Sequence, residues 1–403
     1  MKSNLFRLFL LLLTLCLCLS AVACQNPDAS DPSDSDTGES QSESQSESQS
    51  ESQSESESVS ETESETESET LPPPTIEDIT CALKSAGEQV RVIGRSRVLP
   101  NGITCDYSAC GIEFNAYIEG ELKITLSTNK EAYFTVFVDG VRSAERVRFA
   151  PGQTTVTLAT FAEGGEHNIE FVKQTEAQNA ICVLEKLTFR GYFTAKPADS
   201  ELYIEFIGDS ITCGYGNLCT SGTASPGTAL QQDATQAYAY LAAKQLGADY
   251  SLVSVSGVGV SIGYRNFLAS EMFGKESVYR DNTAYTVTRV PDIVVINLGT
   301  NDKSKGGTDA AFIEKGVALV KQVRTAYGED VPIVWMNGMM NDAMVSALLK
   351  VSKEFGKEDG NFYICYMDSN RDAGGGHPSI AAQEAAAAKL VKFLQDKSLV
   401  AKK

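Results

Sequence analysis

The 403-residue chain has only 2 histidines, so an imidazole base has two candidate positions, His167 and His377. No compact His/Cys or carboxylate ligand set is visible, so no metal or other cofactor is expected. Basic clusters are lacking as well. Residues 25–70 contain fifteen acidic and no basic side chains, and most of the net charge of -19 belongs to them. No basic helix face appears elsewhere, which argues against nucleic acid as a partner. Long apolar runs are confined to Leu8–Leu19, which is too short to cross about 30 Å of hydrocarbon as a helix.

That apolar run follows Lys2 and Arg7 and reads as an export signal over residues 1–23. Ala21-Val-Ala-Cys24 fits two processing schemes, a small-x-small cleavage site and a sequence similar to the bacterial lipoprotein box. Lipidation of Cys24 is favoured, although leucine is the commoner residue where Ala21 stands. The expected location is extracellular, tethered to the bacterial membrane or secreted. From Cys24 to Thr75 a Ser/Glu/Gln-rich tract closes in Leu71-Pro-Pro-Pro74. With few apolar residues it cannot offset its ordering entropy, so it is expected to be a disordered, charge-extended tether.

Residues 76–197 read as an all-β domain. Short runs recur at Glu113–Ile118, Leu122–Ser127, Ala132–Val138, Arg146–Phe149, Thr154–Leu158, His167–Val172 and Cys182–Phe189. Turn signals such as Glu119-Gly120, Asp139-Gly140, Pro151-Gly152 and Gly164-Gly165 separate them. This spacing predicts a jelly-roll-like β-sandwich. His167, at a strand start, is expected to be structural.

Residues 198–403 change to apolar strands alternating with helices, which predicts an α/β/α domain with a mainly parallel sheet. The expected strands are Ile204–Ile207, Tyr250–Val255, Ile293–Leu298, Val331–Met336 and Phe362–Met367. Helices are expected at Ala234–Leu246, Asp309–Ala326, Met344–Glu354 and Ala381–Gln395. Polar clusters fall just beyond strand ends, where the crevice of such a sheet lies. Gly208-Asp-Ser210 puts a candidate nucleophile at a sharp turn. It is not the Gly-x-Ser-x-Gly elbow, because Asp209 precedes the serine. Ser254-Val-Ser-Gly257-Val-Gly259 offers a backbone N–H that can approach a substrate oxygen closely. Asn301 offers a side-chain amide, and Gly374-Gly-Gly-His377-Pro378 supplies the imidazole.

Gly208-Asp-Ser210, Gly257, Gly299-Thr-Asn-Asp302 and His377-Pro378 resemble the four blocks of the SGNH, or GDSL-like, hydrolases. With the preceding sandwich, Gly263-Tyr-Arg-Asn266 and Pro291–Asp302, they resemble the second carbohydrate esterase family, the acetylxylan-esterase-like enzymes. The resemblance covers roughly residues 80–395 and implies a carbohydrate O-acetylesterase acting on a polysaccharide such as xylan or mannan. It makes Ser210 the nucleophile and His377 the base, with Ser210, Gly257 and Asn301 forming the oxyanion hole; Gly259 is the second choice for the middle donor. Most SGNH enzymes carry aspartate three residues before the histidine, where Gly374 stands here. Either Asp372 or another group reaches the imidazole from a different position, or a backbone carbonyl orients it in a Ser/His dyad. The rivals are a lipase or lysophospholipase, a peptidoglycan O-acetylesterase, and a non-catalytic carbohydrate-binding lipoprotein. After the leader an odd number of cysteines remains beyond Cys24, so at least one is unpaired, and Cys213 and Cys219 are near enough in sequence to bridge.

Overall fold

A computed structural model describes residues 74–401, so the leader, Cys24 and nearly all of the acidic tract lie outside the described residues. The β-domain is one hydrogen-bonded network built on two long strands, Gly111–Thr128 and Gly152–Lys173, paired antiparallel along most of their length. The sequence reading cut each of them in two. Gly120 and Gly165 do not end a strand: the pairing slips at Ile118/Gly120 and Leu122/Lys123 and then resumes, as at β-bulges, which bend a strand without terminating it. Asp139-Gly140 is a true hairpin turn, with φ of 53° and 75°, the left-handed pair that such two-residue turns demand. Inward-facing Ile112, Phe114, Ile118, Leu122, Ile124 and Leu126 are fully buried and form the core with Phe134, Phe149 and Phe171. His167 bonds Asp139 at 2.8 Å on this domain.

The second domain contains a five-stranded, wholly parallel sheet. Its strands are β1 (Tyr203–Gly208), β2 (Asp249–Ser254), β3 (Ile293–Asn297), β4 (Ile333–Asn337) and β5 (Phe362–Tyr366), in the order β2-β1-β3-β4-β5. Every β1 residue is buried, as expected of strands covered on both faces. Alternate residues face two separate cores. Phe206, Leu252 and Val295 pack with helices Tyr238–Leu246 and Ile380–Asp396, while Ile207, Val253 and Ile296 pack with Asp309–Tyr327 and Val345–Glu354. The helix expected from Ala234 begins four residues later, because Ala234–Gln236 forms a separate 3-10 turn capped by Asp233.

The two domains are fastened by a buried ion pair. Arg95 of the β-domain reaches Glu205 on β1 at 3.1 Å, with 1% and 0% of the two side chains exposed. Tyr327 donates to the same carboxylate, and Arg95 also donates to the Phe273 and Lys275 carbonyls while lying over the Tyr285 ring. A buried pair is tolerated only when its remaining hydrogen-bonding capacity is filled in this way. Cys105 and Cys110 form a disulfide. The Cys213–Cys219 bridge that the sequence left open is not made: both are free, and the Cys213 thiol donates to Ser254 Oγ.

Candidate active site

Because β2 and β3 lie on opposite sides of β1, the chain leaves the sheet in different directions at neighbouring carboxyl ends. This is the topological switch point where crevices open in such folds. Three of the predicted site residues arrive there from three adjacent strands. At the end of β1, Gly208 lets the chain pass close to its own helix, since a Cβ there would fall 2.0 Å from Thr212 Oγ1. Asp209 caps the short helix Ser210–Cys213 by accepting the Ile211 N–H, so Ser210 becomes the first helical residue, with its hydroxyl at the rim. The loop after β2 carries Gly257, at φ 84°. The short helix Thr300–Ser304 after β3 carries Asn301.

His377 comes from the loop before the last helix. Its Nε2 lies 2.9 Å from Ser210 Oγ, and its Nδ1 lies 3.2 Å from the Gly374 carbonyl. A carbonyl only accepts, so Nδ1 carries the proton and Nε2 offers its lone pair to the serine hydroxyl. Gly375 and Gly376, both in the left-handed region, curl the loop so that this carbonyl turns back on the ring. Burial pushes the imidazole down to about 4; the Gly374 and Gly375 backbone opposes this, while the Arg371 guanidinium adds to it. The ring is therefore neutral at neutral pH, as a general base must be. Gln383 on the last helix donates to the Ile211 carbonyl, tying the histidine's helix to the serine's.

Asp372 does not reach the imidazole. Its carboxylate accepts the Ser379 N–H at 2.8 Å and the Ser379 hydroxyl at 2.7 Å, bracing the cap of the helix Ile380–Asp396. Asp372→Asn should accordingly keep turnover within roughly tenfold of wild type, whereas an aspartate that orients the histidine costs about 10⁴ when replaced by asparagine. A loss of 10³ or more, in a variant with unchanged circular dichroism, would make Asp372 a third catalytic member.

Among the described residues, the N–H groups of Ser210 and Gly257 donate to no protein acceptor. Gly257 borders the cavity over Ser210, and Gly259 does not, which separates the two glycines between which the sequence left the register open. Asn301 is more constrained. Its amide nitrogen donates to Asp209 Oδ2 and to the Val258 carbonyl, both at 2.9 Å, so the sequence-predicted oxyanion donor already holds two acceptors. Burial pushes the Asp209 carboxyl up to about 7, against the pull of the Ile211 N–H.

Two carboxylates that the sequence reading assigned no task hold the donor loop in place. Asp302 accepts the N–H groups of Val260, Ser261 and Ile262; its place beside Asn301 was a usable signal. Glu176 had none, for it belongs to the β-domain, eighty positions before its partner. Fully buried, its carboxylate accepts the Ser256 N–H at 2.9 Å and the Ser256 hydroxyl at 2.8 Å, immediately ahead of Gly257. The same carboxylate accepts from Gln178, which borders the cavity. Glu176→Ala would leave the buried Ser256 N–H without a partner, a loss of about 1–3 kcal/mol in stability. The loosened loop should lower kcat by about tenfold to a hundredfold. Thermal melts and steady-state kinetics check both, and wild-type kcat would deny Glu176 any part in placing the donor.

The cavity over Ser210 has a volume of about 380 Å³ and includes Tyr215, whose ring lies 4.7 Å from that of His377. A larger cavity, about 560 Å³, is bordered by Arg91, Glu113, Asp249 and Arg289. These charges pair with one another, as do Lys244 and Glu170, and neither histidine borders it.

Residues 206–390 match the GDSL-like Lipase/Acylhydrolase family, and residues 92–197 match the Carbohydrate esterase 2 N-terminal family. The chain thus joins a GDSL-like Lipase/Acylhydrolase domain to the N-terminal domain of the carbohydrate esterase 2 family. The cellulase/esterase CelE of Acetivibrio thermocellus is 30% identical to it over 328 residues, taking in 74% of this chain but only 38% of that protein. An acetylxylan esterase / glucomannan deacetylase of Cellvibrio japonicus is 26% identical over 245 residues, taking in 55% of this chain and 66% of the other. A family two carbohydrate esterase from Clostridium thermocellum, solved in complex with cellohexaose, has a TM-score of 0.72 and 28% identity, covering 77% of this chain and 99% of that one.

Proposed function

We propose that the protein is a carbohydrate O-acetylesterase that removes acetyl groups from a polysaccharide such as xylan or mannan through a serine acyl-enzyme. The observation that carries this reading is the 2.9 Å contact between His377 Nε2 and Ser210 Oγ. In it, Ser210 Oγ attacks the acetyl carbonyl as its proton passes to His377 Nε2. The tetrahedral oxyanion takes hydrogen bonds from the Ser210 and Gly257 N–H groups and from Asn301. Collapse expels the sugar oxygen, which receives the proton from His377. Water, deprotonated by the same nitrogen, then attacks the acetyl-serine; the C–Oγ bond breaks as His377 returns the proton to Ser210 Oγ, and acetate is released.

The sugar half of the reading is supported by the relatives: one is an acetylxylan esterase / glucomannan deacetylase, and one solved relative was captured with cellohexaose. The short acyl group is supported by the cavity wall, where Gln178, Ser256, Thr300 and Ser304 leave Met340 as the aliphatic exception. Apart from the Tyr215 and Tyr264 rings, such a wall gives a long alkyl chain little apolar surface to bury. The reading also places the protein outside the cell, held at the membrane by Cys24. Acetate release from acetylated xylan, glucomannan and peptidoglycan, beside a p-nitrophenyl ester series from acetate to decanoate, tests the activity. Acetate should be the fastest acyl group. Rates that climb with acyl length would replace this reading with a lipase.

A further inference from the structure

The cavity over Ser210 carries a charge that deacetylation of a neutral sugar does not require. Arg265 and Arg371 border it and no carboxylate does, in a chain whose acidic residues outnumber its basic ones. Every other described arginine pairs with a carboxylate or donates to a backbone carbonyl, among them Arg91, Arg142, Arg280 and Arg324. Arg265 and Arg371 do neither. Arg265 has a buried Nε with no hydrogen-bond partner. It packs against the oxyanion glycine, its Nε lying 3.0 Å from where a Cβ on Gly257 would stand. Arg371 packs in the same way against Gly376, with Nη2 2.8 Å from the corresponding point, beside the catalytic imidazole. A third cation, Lys305, lies over the ring of Tyr264 at the rim.

Arg371 works against the chemistry as it stands. Each transition state of the acyl-enzyme route has an imidazolium forming on His377, and a neighbouring guanidinium raises the cost of that charge. A hydroxyl of a neutral sugar would accept a hydrogen bond from Arg371 but leave its charge in place. A carboxylate would cancel it and would match the planar fork of the guanidinium with two parallel bonds.

We propose that the substrate is an acetylated glycan bearing a carboxylate close to the acetylated hydroxyl, gripped between Arg371 and Arg265. The proposal rests on the esterase reading and narrows its substrate. A uronic acid branch of a hemicellulose and the lactyl ether of a muramic acid supply the same chemistry.

The test compares wild-type kcat/KM on three substrates: an acetylated xylo-oligosaccharide carrying a uronic acid, the same oligosaccharide after reduction of its carboxyl to an alcohol, and an O-acetylated muramic acid glycan. p-Nitrophenyl acetate serves as the uncharged reference. At least one carboxylate substrate should exceed the reduced one by about tenfold or more, the scale of one charge-assisted pair, with part of the gain in kcat because the charge beside His377 is cancelled. Whichever carboxylate glycan is preferred names the source. Arg371→Gln should bring the ratio of uronate to reduced substrate close to one, and Arg371→Lys, which keeps the charge and loses the fork, should restore part of it. Equal kcat/KM on charged and reduced substrates, with p-nitrophenyl acetate still hydrolysed, overturns the carboxylate and leaves the esterase standing. No hydrolysis of any ester overturns the esterase reading itself.

Discussion

Ser210→Ala is expected to lower turnover on acetyl esters by about 10⁶, the scale seen when a serine hydrolase loses its nucleophile. His377→Ala should cost nearly as much, and the double variant little more than either, because the two atoms 2.9 Å apart act as one unit. The fold should survive, since the Ser210 hydroxyl faces the cavity and bonds the imidazole there. Far-ultraviolet circular dichroism and a melting curve establish that, and steady-state kinetics on p-nitrophenyl acetate establish the rest. A Ser210→Ala enzyme that keeps even about a tenth of its rate would remove the whole mechanism, because no other hydroxyl here has an imidazole lone pair aimed at it.

Asn301→Ala is the second large effect, a fall in kcat of about 10²–10³, and its distribution between kcat and KM is the informative part. One amide hydrogen of Asn301 sits on Asp209 and the other on the Val258 carbonyl. A neutral ester carbonyl has little to offer in exchange for a carbonyl already bound. An oxyanion is a stronger acceptor and draws that second hydrogen away as charge develops. An interaction made only in the transition state lowers kcat and kcat/KM together when it is lost, so KM in Asn301→Ala should stay near the wild-type value. A variant in which KM rises and kcat holds would mean that Asn301 binds the ground state instead.

The parallel sheet was legible because its strands, covered on both faces, are uninterrupted apolar runs ended by glycine or polar clusters; Ile293–Asn297 is an example. The position of the candidate site was legible for a related reason: Ser210, Gly257 and Asn301 each occur within a few residues of such an end. His377 needed only the scarcity of histidine. Gly120 and Gly165 misled because a bulge and a turn use the same residues, and only the pairing partner across the sheet tells them apart. The second acceptor of Asn301 was hidden as well, since the Val258 carbonyl is turned toward it by Asp302, through three N–H bonds that no local pattern announces. Glu176, Gln178 and Arg95 act across the domain boundary, and contacts of that range leave no trace in neighbouring residues.

Glu176 and Gln178 also bear on how such a protein can be rearranged over time. A sandwich placed before a hydrolase domain invites the picture of interchangeable modules, one that binds and one that cuts, free to be shuffled at the connecting stretch near Lys196 and Pro197. A substitute sandwich would arrive without the carboxylate that holds Ser256 and without the amide beside the nucleophile, and Glu205 would be stranded without Arg95. Recombination at that seam would yield a hydrolase domain with its donor loop unbraced and a lone charge in its floor, so the two halves of this polypeptide are physically matched to each other.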